Sequence, residues 1–276
     1  MEPHVLTALA NFLKAHSGLV LTPDKAYLVT SRLGPVVAQH GLKDVADLAA
    51  KLKAPTPQLM TDVIEAMTSN ETSFFRDATP FEIFKTQILP ELIELRKARK
   101  AIRILCAAAS SGQEPYSLAM ILAENAARLT GWTTEILGVD LDTKIIKRAE
   151  EATYSQFEVQ RNLPVQMLMK YFEKADQAWR IKPQVRNMVK FRPANLLEPM
   201  AALGRFDVIF CRNVLIYFDG QTKGAVLGRL AGQLAPDGSL FLGGAETVLE
   251  VSDRFIPAPG RRGVYIPQAA GKPRVA

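Results

Sequence analysis

The run IRILCAAASSGQEPYSLAM, residues 102–120, constrains this chain more than any other stretch. Ile102, Ile104 and Leu105 are β-formers, residues 107–112 carry almost no side-chain bulk, and Pro115 suits the first turn of a helix, where its missing N–H has no intrahelical partner. The run therefore reads as a buried strand, a turn of small residues and a helix. Such a turn lets a ligand approach the backbone closely. Strand-like and helical segments alternate from here on, with strands expected at 102–107, 135–140, 189–193, 206–212 and 239–243 and shorter ones near 255 and at 264–266. That alternation predicts an α/β domain with a mainly parallel sheet. Its first strand is the expected switch point, from which crossovers leave in opposite directions and beside which ligands bind.

Upstream, residues 1–68 show helical periodicity without strands: Val5, Leu6, Leu9, Phe12 and Leu13 recur at three and four. Thr22, Pro23 and Asp24 form a plausible helix start, and Pro35 is expected to end or kink the second helix. The segment TSNETSFFRDATPFEIF, residues 68–84, is dense in hydroxyls and amides and should be a loop entering a helix near Pro80. The charged run at 96–100 is expected to be solvated linker surface. The organisation that follows is a helical domain at 1–68, a linker that covers the ligand edge at 69–101, and an α/β domain at 102–276. Within the last, 152–188 is too long for one crossover and reads as an inserted subdomain, with a helix around 164–172 and strand-like runs at 179–181 and 185–189.

At 276 residues and 48% apolar content, the chain can bury one large core or two unequal ones. Cys106 and Cys211 sit in apolar runs, which fits a reducing cytoplasm better than a disulfide framework. No stretch reaches a membrane span of ~20 apolar residues, and the first 20 residues mix charges where a signal peptide needs an apolar core, so neither export nor anchoring is expected. The net charge of +6 is concentrated: residues 144–192 hold 11 basic against 5 acidic side chains. That surface either faces solvent or attracts an anionic partner, nucleic acid or acidic protein.

Two carboxylates flank the small-residue turn. Glu114 opens the helix, and Asp140 ends the second strand, where an acid accepts hydrogen bonds from ribose hydroxyls. Taken alone, each reads equally well as a helix cap. No G-x-G-x-x-G is present, and Gly112 is the only glycine of the turn, so pyrophosphate is a poor ligand. An adenosine with an amino-acid tail, S-adenosylmethionine, fits carboxylates and small residues better. FDVIFCRNVLIYFD, residues 206–219, is a buried strand that turns polar at Arg212 and Asn213, a usual place for catalytic groups, and of its later residues Tyr217 stands out from the core. No metal site is expected.

The words NETSFFRD, SSGQEPYSLAM, GVDLD, NLLEP and FCRNVLIYFD, in this order over about residues 5–267, resemble the CheR family of chemotaxis receptor methyltransferases. The resemblance implies a helical amino-terminal domain, a Rossmann-like S-adenosylmethionine methyltransferase domain and a small inserted antiparallel β-subdomain. It implies esterification of glutamates on the cytoplasmic methylation helices of chemotaxis receptors, by a protein expected to be a monomer. Asn70, Thr72, Arg76, Glu114, Asp140, Asn195, Leu196 and Asn213 match the family's cofactor positions, to which the residue reading adds Gly112 and Arg212. Arg76 and Tyr217 match the groups that approach the methyl and the substrate carboxylate.

Three departures from the family pattern set further expectations. Gln113 replaces a glutamate, predicting a less acidic site. Pro35 and Ala38 stand where arginines dock the receptor, so docking through this domain is expected either to be weaker or to use Arg32 and Lys25 alone. The turn EKADQ, residues 173–177, is shorter than the loop that grips a receptor's carboxyl-terminal pentapeptide, so no such tether is expected. The competing readings are a nucleic-acid methyltransferase and a non-catalytic S-adenosylmethionine sensor. The first lacks an Asn/Asp-Pro-Pro-aromatic word, and Cys211 follows Phe210 and not proline. Intact Arg76 and Tyr217 argue against the second.

Overall fold

The computed structural model describes residues 1–268; the strands and helices follow from the sequence patterns with a few instructive differences. Four helices, α1 (Pro3–Ser17), α2 (Ala26–Gln39), α3 (Val45–Lys51) and α4 (Pro57–Met67), pack around Leu9, Leu13, Val29, Leu33, Leu48 and Val63, all essentially inaccessible to solvent. Asp44 and Thr56 accept N–H bonds at the starts of α3 and α4. Pro35 does not end α2, which runs four residues beyond it, and Pro23–Lys25 form a short 3-10 turn ahead of that helix.

After a loop comes one long helical rod: α5 (Thr79–Ile83), a π-helical turn (Phe84–Ile88) and α6 (Leu89–Leu95). In the charged run that follows, residues 97–100 are exposed as expected, but Arg96 is not. Arg96 is buried and donates through Nε to Asp207 Oδ1 at 2.8 Å and through Nη1 to Asp237 Oδ2 at 2.6 Å, and Asp207 also accepts from the Arg103 backbone N–H. A buried carboxylate needs such partners, and they come from segments far apart in sequence.

The remaining chain builds a seven-stranded sheet from β1 (Ala101–Ala107), β2 (Thr133–Asp140), β6 (Val189–Pro193), β7 (Phe206–Cys211), β8 (Leu234–Leu242), β9 (Phe255–Pro257) and β10 (Val264–Pro267), in the order β6-β2-β1-β7-β8-β10-β9. Every pairing from β6 to β8 is parallel, and β10 and β9 add antiparallel. Helices α7 (Gln113–Glu124), α8 (Thr143–Glu151) and α12 (Gly220–Gln233) make the main crossovers. The chain steps from β1 outward to β2 and β6, then returns to β7 on the other side, so β1 is the switch point and its carboxyl end is the natural ligand crevice.

Between α8 and β6 lie β3 (Thr153–Ser155), α9 (Gln156–Gln160), α10 (Val165–Tyr171), β4 (Phe172–Ala175), β5 (Ala178–Ile181) and α11 (Pro183–Arg186). The three strands form a separate antiparallel sheet, β3-β5-β4. The run at 185–189 is not a strand of this subdomain: Val185 lies in α11, and Val189 begins β6 of the main sheet. The insertion shares the main core, because Tyr154, Tyr171 and Phe172 pack with Phe74 and Tyr116. No helix among the described residues is long and apolar enough to cross a membrane.

Candidate active site

At the carboxyl edge of β1, β2 and β7 a cavity of about 980 Å³, part of it open to solvent, is lined by segments from across the chain. The linker contributes Asn70, Thr72 and Arg76; the β1 and β2 turns contribute Ala108, Ser110, Glu114 and Asp140; the segment after β6 contributes Asn195 and Leu196; and the segment after β7 contributes Arg212, Asn213 and Tyr217. Ser17 and Leu19 of the helical domain close one side.

The turn after β1 is tighter than its composition suggests, since Ala108 and Ser110 both adopt left-handed backbone (φ 60° and 51°). The Ser110 N–H donates to Asp140 Oδ2 at 2.8 Å and its hydroxyl to the Asn70 carbonyl at 2.8 Å, so this turn ties the end of β2 to the linker. Asp140 also accepts from the Asp142 N–H at 3.0 Å. Burial pushes the Asp140 carboxyl above the ordinary aspartate range, and these two N–H bonds oppose the shift without cancelling it. Asp142, not Asp140, caps α8, accepting from the N–H groups of Lys144 and Ile145, and its other oxygen accepts from Asn70 Nδ2 at 2.7 Å.

Glu114 is not a cap either. It is buried and paired with Arg212, Nη1 to Oε2 at 2.8 Å; burial raises its carboxyl while the guanidinium pulls it down. Arg212 Nη2 reaches the Arg76 carbonyl at 3.0 Å and Asp77 Oδ2 at 2.8 Å. Arg76 lies in a strained stretch in which Phe75, Asp77 and Ala78 all have positive φ (48°, 65° and 44°). Its own Nη1 donates to the Glu71 carbonyl at 2.8 Å.

Two sequence models match this chain: CheR methyltransferase, all-alpha domain, over residues 5–68, and CheR methyltransferase, SAM binding domain, over residues 70–264. The chain belongs to the CheR methyltransferase family. It is 41% identical over 249 residues to chemotaxis protein methyltransferase 1 of Pseudomonas aeruginosa, a match spanning 88% of this chain and 90% of that protein. Chemotaxis protein methyltransferase Cher2 of Pseudomonas putida is 39% identical over the same shares of the two chains. The chemotaxis protein methyltransferase of Vibrio anguillarum is 39% identical over 89% of this chain and 90% of that one.

This CheR protein is therefore an S-adenosylmethionine-dependent methyltransferase, and its cavity fits that cofactor. Asp140 stands at the end of the second strand where a ribose needs an acceptor, Glu114 offers a carboxylate beside it, and among the described residues no glycine lines the cavity to cradle a phosphate. Arg212 Nε is buried without a hydrogen-bond partner among the described residues, an orphaned donor in the cavity wall.

Every site residue named from the sequence lines the cavity except Gly112. With φ +92° Gly112 turns the chain into α7, and a Cβ there would press on Phe191, Ala149 and Tyr116, so it serves packing behind the site. Gln113 also points away: it accepts from the Ser111 hydroxyl at 2.8 Å and its amide reaches toward Glu158 Oε1 at 3.4 Å. Gln113 therefore adds no group to the cavity lining. Glutamine at this position avoids setting a second carboxylate against Glu158.

Sequence reasoning missed Ser17, Leu19 and Glu246. The first two reach the site only because the helical domain is fastened to the other: Val20 N–H donates to the Tyr217 carbonyl at 2.9 Å, Asn195 Nδ2 to the His16 carbonyl at 2.8 Å, and Thr143 to Glu65. No periodicity in one domain encodes such bonds. Arg32, one of the two residues named for docking, donates to the carbonyls of Met67 and Thr68 and to Ser69 Oγ, closing the end of α4 onto the linker.

Proposed function

We propose that this CheR protein methylates side-chain carboxylates of glutamates in the cytoplasmic helices of chemotaxis receptors, acting in the cytoplasm as a monomer and without a carboxyl-terminal pentapeptide tether. The observation that carries the reading is that Arg76 and Tyr217, from segments far apart in sequence, line the same cavity as Asp140 and Glu114. Relatives named as chemotaxis methyltransferases along nearly their whole length support the choice of substrate.

S-adenosylmethionine supplies the methyl group as an electrophile and is released as S-adenosylhomocysteine. A glutamate carboxylate, with a reference pKa near ~4.3, is already ionised at neutral pH, so the protein needs no general base. Its task is alignment and exclusion of water, which can lower a barrier by about 7–11 kcal/mol at best. Asp140 would accept from the ribose, and the buried Glu114–Arg212 pair fixes the wall behind it. Arg76 and the half-buried Tyr217 hydroxyl orient the incoming carboxylate by charge-assisted and neutral hydrogen bonds. Their hold must stay moderate, because tight ground-state pairing would blunt the nucleophile.

Supporting tether independence, the β4–β5 hairpin turns on only Asp176 and Gln177, with Ala175 paired directly to Ala178. The deciding experiment for the function is incubation with labelled S-adenosylmethionine and receptor-containing membranes. Base-labile methyl esters on receptor glutamates are expected. Their absence while the cofactor still binds would overturn the reading in favour of a non-catalytic sensor.

A further inference from the structure

Glu246 lies outside the cavity, yet it gathers more backbone donors than any group in it. Its Oε2 accepts from the N–H groups of Gly243 at 2.7 Å and Asn213 at 2.8 Å, and its Oε1 from Val214 at 2.9 Å, Leu215 at 2.7 Å and Ile216 at 3.3 Å. The residue is buried, 8% exposed. No lysine or arginine side chain pairs with it among the described residues; amides alone hold the charge, as in an anion-binding nest.

Four of these donors belong to the segment that leaves β7 and enters the short 3-10 turn Leu215–Tyr217. They are the orphan N–H groups of a helix start that has no side-chain cap of its own, and Asn213 sits there in left-handed backbone at φ 59°. The fifth belongs to Gly243, just past the end of β8, so one carboxylate clasps the ends of two adjacent parallel strands. Removing it would leave five N–H groups to find other acceptors in a largely buried turn.

We propose that Glu246 is the positioning residue of the catalytic segment: its carboxylate sets the backbone of residues 213–216 and thereby aims Asn213 at the cofactor side and Tyr217 at the substrate side of the cavity. The proposal rests on the function given above, in which Tyr217 orients the substrate carboxylate. A charge-neutral isostere does not replace Glu246, because the –NH2 of a glutamine would confront the N–H groups of either Asn213 and Gly243 or residues 214–216.

The same contact can be disturbed from its other end. A Cβ on Gly243 would lie 2.7 Å from Glu246 Oε2, 2.9 Å from Asn213 Nδ2 and 3.0 Å from the Asn213 N atom. Gly243→Ala therefore crowds the clasp from both sides, pressing on the carboxylate without removing it and on the Asn213 that it holds.

The test measures turnover on receptor membranes, with saturating cofactor, for Glu246→Gln and Gly243→Ala, together with amide hydrogen exchange of the intact protein. Both variants are expected to lose at least about tenfold in kcat with KM for receptor changed less than about threefold. Exchange protection should fall at 213–216 and 243 while β1 and β2 keep theirs. Wild-type kcat in a variant whose 213–216 amides have opened would overturn the proposal, as would a kcat loss with those amides still protected. If Glu246→Gln does not fold, Gly243→Ala decides alone by the same two readouts. Were the wild type to make no receptor methyl esters, the functional reading would fail. The positioning claim would then be judged by exchange and by cofactor affinity, which the Asn213 side of the same clasp should weaken in both variants.

Discussion

Arg212 and Glu114 form an ion pair, Nη1 to Oε2 at 2.8 Å, with the arginine side chain only 2% exposed, joining the end of β7 to the first turn of α7. The same guanidinium holds Asp77 and the Arg76 carbonyl, so three stretches that form the cavity depend on one side chain. A planar fork reaches these acceptors from two separate nitrogens; the three donors of an ammonium radiate from one atom and cannot span them.

Arg212→Lys is accordingly expected to destabilise the protein by about 1–3 kcal/mol, the cost of leaving a buried acceptor unsatisfied. Denaturant unfolding measures it, and an unchanged midpoint would show that the pair is dispensable.

Tyr217 lines the cavity between the two domains. If its hydroxyl orients the substrate, Tyr217→Phe should reduce kcat by about tenfold, the order of one lost hydrogen bond, with cofactor affinity almost unchanged. Equal losses in both, from steady-state kinetics and calorimetry, would make it a cofactor or packing residue.

Asp140→Ala should weaken S-adenosylmethionine binding by about 10- to 100-fold through loss of a buried acceptor. Burial raises this carboxyl, so protonation begins at a higher pH than for an ordinary aspartate. Protonation removes the acceptor, and wild-type affinity should fall on acidification starting above the usual carboxylate range. Asp140→Asn should lose that part of the pH dependence; retention of it in calorimetric titrations would assign the limb elsewhere.

Stability should also fall in acid over a definable window. Burial pushes Asp62 upward, but hydrogen bonds from Gln58, His40 and Lys144 outweigh it and lower its pKa from 3.8 to about 2. A depressed carboxyl contributes its stability in full above its unfolded value. That contribution, on the order of 2 kcal/mol, disappears as pH falls from about 4 through about 2. Unfolding of the wild type compared with Asp62→Asn across this window checks it, since the variant should lack the extra slope.

The short β4–β5 hairpin yields a binding prediction. A peptide ending in a receptor's carboxyl-terminal pentapeptide should give no measurable calorimetric signal at micromolar concentration, and submicromolar affinity would overturn tether independence.

Much of this architecture was legible in the chain. The parallel strands announce themselves as short apolar runs, because a strand buried on both faces must be apolar throughout. The insertion was visible as excess length between two strands, but its β3 and β4 were not, since strands of three or four half-exposed residues leave no alternation to detect. The solvated reading of residues 96–100 failed at Arg96 for a different reason: composition marks charge, while the acids that bury it, Asp207 and Asp237, lie more than a hundred residues away.

The opening run, residues 102–120, by itself determined a strand, a small-residue turn and a helix, because β-propensity, side-chain volume and proline's place in the first helical turn are all local properties. With the alternation that follows, it determined where the crevice would lie. Only the tertiary structure decided what fills that crevice: Arg212 turned onto Glu114 and Asp77, Gln113 turned away, Ser17 brought in from α1, and Glu246 holding the turn that carries Tyr217. Those arrangements arise from charges and N–H groups that must find partners once water is removed, and the partners are chosen by proximity in space, which no local pattern in the chain records.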